Sequence, residues 1–243
     1  MKYRLLISTV LVTGLIAGCA SKAHMQKMQE DGVALRMDLA RVMVKSKSYE
    51  AAVPLLQRLI SEAPQDVAAR AMYASVLRQR GLYAQAVQQY REVIKLSPKN
   101  AVAYSGLGVT YSRMGMPVEA MRAHRRAVEL SPRSAETWNN LGFALYASGD
   151  TVGAVNALER AVVLDPTSLL AFNNLGFAYG KQARYNDALR VFRSALGESR
   201  AYMNLAVVYD QAGDAEHAAE CRATARQLEL AATMRPTAVG EGP

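Results

Sequence analysis

At 243 residues, 51% hydrophobic and 21% charged, the chain has the composition of a folded protein with apolar material for one sizeable body, which excludes a disordered chain. Its formal net charge of +8 is a mild excess spread without a dense basic run, which excludes nucleic acid as the partner and leaves anionic lipid or an acidic protein surface.

The chain opens with Lys2 and Arg4, an apolar run from Leu5 to Ile16 and small residues leading to Cys19. Such a run falls short of the ~20 residues that span a bilayer, so residues 1–18 read as an export signal. The sequence Ile16, Ala17, Gly18, Cys19 resembles the lipobox of bacterial lipoproteins. That resemblance implies cleavage before Cys19, a diacylglycerol on its thiol and an N-acyl chain on the new amine, with no other cofactor. Each buried acyl methylene is worth about 0.8 kcal/mol, so such an anchor holds the chain to a membrane essentially permanently. Ala20 stands where an aspartate would retain many such lipoproteins in the inner membrane, so the resemblance implies the periplasmic face of the outer membrane. With Cys19 acylated only Cys221 remains, so no internal disulfide forms. Loss of Lys2 and Arg4 with the signal lowers the charge from +8 to +6.

Residues 19–32 read as a tether or an extra N-terminal helix. Beyond them a period of 34 takes over. Prolines stand at Pro64, Pro98, Pro132 and Pro166, and alanines at Ala52, Ala86, Ala120, Ala154 and Ala188; Ala40, Ala74, Gly108, Gly142 and Gly176 share the same spacing. Within 135–168, Trp138, Leu141, Gly142 and Leu145 lie on one face of a first helix, A. Gly149 and Asp150 break it. Ala154, Leu158 and Ala161 then mark a second helix, B, which runs out before Pro166.

This pattern resembles the tetratricopeptide repeat, which implies an all-α solenoid of antiparallel helix pairs. Six repeats are predicted, at 33–66, 67–100, 101–134, 135–168, 169–198 and 199–232, followed by a flexible tail over 233–243. From Phe172 to Tyr202 the spacing is 30 instead of 34, and a deletion of about one helical turn predicts a shortened B helix with its apolar face in phase. The sixth repeat ends in a long polar helix suited to capping the array.

No convergent chemistry accompanies these repeats, so catalysis and a metal site are not expected. His24, His124 and His217 are scattered, and His124 occupies a repeat position that calls for an aromatic packing residue. The stretch "GFAYGK" over 176–181 has three residues between its glycines where a phosphate loop needs four. Asp150, Asp165 and Asp187 punctuate helix ends, where capping is the expected role.

Stacked repeats line a concave face with their A helices. There the spacing places Asn139, Asn140, Phe143 and Tyr146 in one repeat, Asn173, Asn174, Phe177 and Lys181 in the next, and Asn204 in the sixth. A row of amides can pair with the main chain of a bound segment while the aromatics offer apolar contact; alternatively the asparagines bond locally between adjacent A helices. Arg41, Lys45, Arg78 and Arg113 add positive charge toward the N-terminal half. The occupant is a protein segment, either an internal peptide or an amphipathic helix.

The anchor, the length and the phrases "WNNLGFALYASGD" and "FNNLGFAYGKQARYNDAL" together resemble the TadD lipoproteins of the tight-adherence (Flp pilus) machinery. The resemblance implies a pilotin-like role in assembling the outer-membrane secretin, with a secretin subunit or another pilus-assembly component as partner. Two other roles stay open: a type IV pilus pilotin, and an adaptor for peptidoglycan hydrolases or proteases.

Overall fold

A computed structural model describes Lys27 and residues 32–234; the expected export signal, Cys19 and residues 235–243 lie outside the described residues, as does most of the expected tether. All secondary structure among the described residues is helical. Two compact units divide the chain, one ending at Pro98 and the other starting at Lys99. The first contains α1 (32–45), α2 (Tyr49–Glu62), α3 (Val67–Gln79) and α4 (Tyr83–Leu96). The second contains α5 (Ala101–Arg113), α6 (Pro117–Leu130), α7 (Ala135–Ser148), α8 (Thr151–Leu164), α9 (Leu169–Lys181), α10 (Tyr185–Leu196), α11 (Glu198–Ala212) and α12 (Ala215–Thr233). No described helix is long and apolar enough to cross a membrane.

The 34-residue period writes each boundary in local chemistry. Asp66, Asn100, Ser134 and Ser168, each two residues after a period proline, accept backbone N–H bonds at the first turns of α3, α5, α7 and α9. At the other end of each A helix, the turn into B needs one residue in the left-handed region, and it falls at Lys47, Gly81, Gly115, Gly149, Ala183 and Gly213. Four of the six are glycines, which enter that region without a Cβ clash. Asp150 then caps α8 through the Gly153 N–H at 2.8 Å. Asp165 instead accepts from the Thr167 backbone N–H and hydroxyl beyond the end of α8. Asp187 does not cap: it lies in the first turn of α10 and pairs with Arg184, the residue before the helix, and with Arg190 one turn on, each three residues away.

Close packing of A on B follows from the small residue near the middle of each A helix. In the second unit a Cβ on Gly108 would fall 2.7 Å from the His124 ring, on Gly142 2.5 Å from Leu158 Cγ, and on Gly176 2.3 Å from the Phe192 ring. The B-helix side chain sixteen residues later therefore fills the notch each time, and His124, Leu158 and Phe192 are all fully buried. Gly180 makes the same kind of notch for Val208 of α11, which accounts for both glycines of "GFAYGK" as packing surfaces. In the first unit, Met37 and Ala40 of α1 share a core with Ala52, Leu56 and Leu59 of α2 and Ala69 and Val76 of α3.

The four-residue deletion does not come wholly out of helix B. Helix α10 has 12 residues against 14 in α8, and the connection to the next A helix falls from residues 165–168 to Gly197 alone. Helix α11 starts one residue early in compensation. Gly197, at φ 80° and ψ 171°, makes that abrupt connection in a conformation essentially reserved for glycine.

Candidate functional site

The A helices α5, α7, α9 and α11 of the second unit carry the asparagines, and the structure pairs them in a fixed pattern. Asn140 Nδ2 donates to Ser105 Oγ at 3.0 Å, Asn174 Nδ2 to Asn139 Oδ1 at 2.8 Å, and Asn204 Nδ2 to Asn173 Oδ1 at 2.7 Å. In every pair the sixth residue of one repeat donates to the fifth residue of the repeat before it. A doubled asparagine is thus a two-sided connector: its first amide accepts from the following repeat, and its second donates to the preceding one. The ends of the row are visible in the residue types. Gly106 occupies the sixth position where the row begins, and Met203 the fifth where it ends. In the first unit the same positions of α3 are Ala71 and Met72, which cannot form the pair.

This placement changes what the amides offer. Asn139, expected on the open face, is 6% exposed and lies between helices, because the row that faces outward is the one set by Phe143. Asn140, Asn173, Asn174 and Asn204 are half-buried, each with one group already engaged along the row. Ser105, which the amide pattern alone does not pick out, completes the row; its signal in the sequence is its position, one period before Asn139.

What the A helices leave open is mostly apolar. A recess of about 410 Å³ is lined by Val109, Arg113, Asn140, Phe143, Leu170 and Asn174, among others. A smaller one of about 190 Å³ shares Phe143 and Asn174 and adds Tyr146, Phe177 and Gln211. Phe143 stands at their junction and is 53% exposed. Phe177 is half-buried, its ring edge-on to Phe192 with centroids 5.4 Å apart. Tyr146 Oη reaches Gln211 Oε1 at 3.5 Å, a long contact that leaves the hydroxyl able to turn to another partner. Lys181 is exposed beside a separate recess with Tyr185 and Val208. Arg113 makes no ion pair with any described residue and is the cation of the larger recess. Of the other expected basic residues, Arg41 bonds Asp38 on its own helix and Arg78 reaches Ser75.

The floor of this face has buried polar groups but no reactive constellation. His124, on α6, reaches the larger recess through the Gly108 notch; burial pushes its pKa down to about 4, so the ring is neutral at ordinary pH, and its Nδ1 has no hydrogen-bond partner. Burial also raises the Cys221 thiol, which opposes formation of a nucleophilic thiolate. No group of three or more His, Cys, Asp or Glu residues could hold a metal among the described residues. The face can therefore enclose apolar side chains and bond a few polar ones.

Residues 74–115 and 144–182 match the TPR repeat family, and residues 168–197 match the tetratricopeptide repeat. With the helix pairs and the glycine notches these matches define the class of fold: an all-helical arrangement of tetratricopeptide repeats, whose sequence is matched over 74–115 and 144–197. No curated protein matches the sequence. Among solved structures it is similar to MamA at 26% identity, covering 65% of this chain and 94% of that one with a TM-score of 0.53. It shares the fold of YrrB, described as a TPR protein with an unusual peptide-binding site, at 22% identity, covering 72% and 92% with a TM-score of 0.57. PilF of Pseudomonas aeruginosa shares the fold at 16% identity, covering 83% and 93% with a TM-score of 0.67.

Proposed function

We propose that this chain is a membrane-anchored adaptor that receives an apolar segment of a protein partner in the recesses of α5, α7, α9 and α11. The observation that carries the reading is Phe143, a large aromatic ring left half in solvent between two recesses whose neighbouring amides are already paired. Aromatic anchors of this kind carry a disproportionate share of binding energy. Side-chain burial, more than main-chain pairing along an amide row, is therefore the mode of capture.

The finer assignment rests on the amino-acid sequence. The lipobox-like Ile16–Cys19 supports acylation of Cys19 and attachment to the periplasmic face of the outer membrane. The TadD-like repeats support a pilotin-like role, with a secretin subunit or another Tad/Flp pilus component as the partner. In a strain deleted for the gene, secretin protein is expected to be present but not multimerised, and restoring the Phe143→Ala chain is expected not to rescue multimers. Normal multimers in the deletion strain would sink the secretin assignment, and co-purification of a peptidoglycan hydrolase in place of a secretin would replace it. The Cys19→Ser chain is expected in the soluble periplasmic fraction; continued membrane fractionation refutes the lipid anchor.

A further inference from the structure

In α3, α7, α9 and α11 the third, seventh and tenth residues of the repeat form the face that receives the preceding helix pair. Ala69 and Val76 of α3, Thr137, Leu141 and Ala144 of α7, Ala171, Leu175 and Ala178 of α9, and Ala201, Leu205 and Val208 of α11 are all buried. On α1 those positions are Leu35, Leu39 and Val42, exposed by 71%, 46% and 63%. A terminal repeat normally carries a polar outer face. This one carries three large apolar residues on a surface whose counterparts in four other helices are covered by helices.

The spacing says what kind of helix fits. Leu35, Leu39 and Val42 are four and three residues apart, the spacing of a heptad seam. Such a seam is complementary to itself. Helix α12, which ends the second unit, is mixed: it exposes Leu230 but also Glu216, Glu220, Arg226, Gln227 and Glu229. Pairing the seam with that helix would set it mainly against charged side chains, whereas a two-fold pair sets like against like and closes.

We propose that α1 is a self-association surface, and that its occupant is the α1 helix of a second copy of this chain, packed along the Leu35–Leu39–Val42 seam. The pairing is independent of the A-helix recesses of the second unit and of acylation at Cys19. An interface of this narrow kind falls toward the small end of protein–protein contacts, so the dimer is concentration-dependent.

The test uses the mature chain from residue 19 with Cys19→Ser, so that neither an acyl group nor the apolar signal run contributes to association. Sedimentation equilibrium is expected to show dimers that dissociate on dilution, and the added changes Leu35→Gln, Leu39→Gln and Val42→Gln to halve the sedimenting mass at unchanged helix content, with the melting temperature of the variant matching that of the parent only at dilutions where the parent is monomeric. Leu39 faces its own counterpart in a parallel pair, and in an antiparallel pair centred on the three described residues it lies beside the two-fold axis. In the same background Leu39→Cys is therefore expected to cross-link under mild oxidation, with buried Cys221 as the only other thiol. A monomer at every concentration, or a dimer that survives the triple change, overturns the proposal. A monomeric parent that binds anionic phosphatidylglycerol vesicles, and loses that binding in the triple variant, also overturns it and assigns the seam to lipid.

Discussion

Asn174→Ala removes one donor from the amide row, and the structure allows its cost to be worked out. The bond to Asn139 Oδ1 is 2.8 Å long. A hydrogen bond of this kind contributes about 0.5–1.5 kcal/mol net, but its loss leaves the Asn139 oxygen without a donor, at a cost of about 1–3 kcal/mol for a buried group. Asn139 is 6% exposed, which places the penalty in that second range. Alanine's better helix propensity returns about 0.5 kcal/mol. The net loss is about 1–2 kcal/mol, which lowers the melting temperature by about 2–8 °C for a body of this size. Urea unfolding followed by circular dichroism measures it, and a double-mutant cycle with Asn139→Ala isolates the pair. A coupling energy of about 0.5–1.5 kcal/mol is expected, whereas Asn174→Ala and Asn204→Ala, which serve different acceptors, should add within ~0.5 kcal/mol. A coupling indistinguishable from zero for Asn139 and Asn174 would falsify the row as a structural device.

Phe143→Ala is expected to abolish partner capture while costing about 1 kcal/mol of stability or less, because the ring is 53% exposed and alanine regains helix propensity; pull-down with the partner alongside thermal melting separates the two. Gly176→Ala is expected to destabilise by about 1–2 kcal/mol even after the helix-propensity gain, since its Cβ would fall 2.3 Å from the fully buried Phe192 ring; denaturant unfolding reads it. His124 has a folded-state pKa of about 4 against an ordinary 6.5, so the protein is fully stabilised by the neutral ring above pH 6.5 and loses that stability as pH falls toward 4. The loss is on the order of 3 kcal/mol at its limit, and His124→Phe should flatten the slope of stability between pH 6.5 and 4, the ring filling the Gly108 notch as Phe192 fills that of Gly176. Ala183→Gly is expected to stabilise by about 0.5–1 kcal/mol, because Ala183 holds φ 57° at a turn where four equivalent residues are glycine; a rise in the urea midpoint with unchanged m-value checks it.

The parts of the fold that were legible in the sequence depend on chemistry repeated at one spacing. A proline, a capping residue, a small residue on A and an apolar residue on B recur every 34 positions, and repetition separates them from chance. The deleted turn was harder to read, because four residues can leave a helix or a connector with the same effect on spacing; Gly197 is what allows the connector to shrink. Asp187 looked like a cap by position but pairs with Arg184 just before its helix and Arg190 on it. The candidate face was legible at Phe143, whose outward direction follows from helical phase alone. It was less so at Asn139 and Phe177, where the angle between neighbouring helices decides whether a flank is open or closed.

By itself the sequence determined the helix pairs and the small residues at Gly108, Gly142 and Gly176 through which A packs on B, because each of these is settled by contacts within one repeat. It also holds the doubled asparagines and the first and last members of their row, Ser105 and Asn204. Only the tertiary structure decided what those amides do. Their partners lie 31 or 35 residues away on the next A helix, and a difference of one position in register turns a groove-facing donor into a helix-to-helix bond. The same holds for the apolar seam of α1: its residue types were in plain view, but that Leu35, Leu39 and Val42 stay uncovered, while their equivalents in later repeats are buried, is a property of stacking and not of composition.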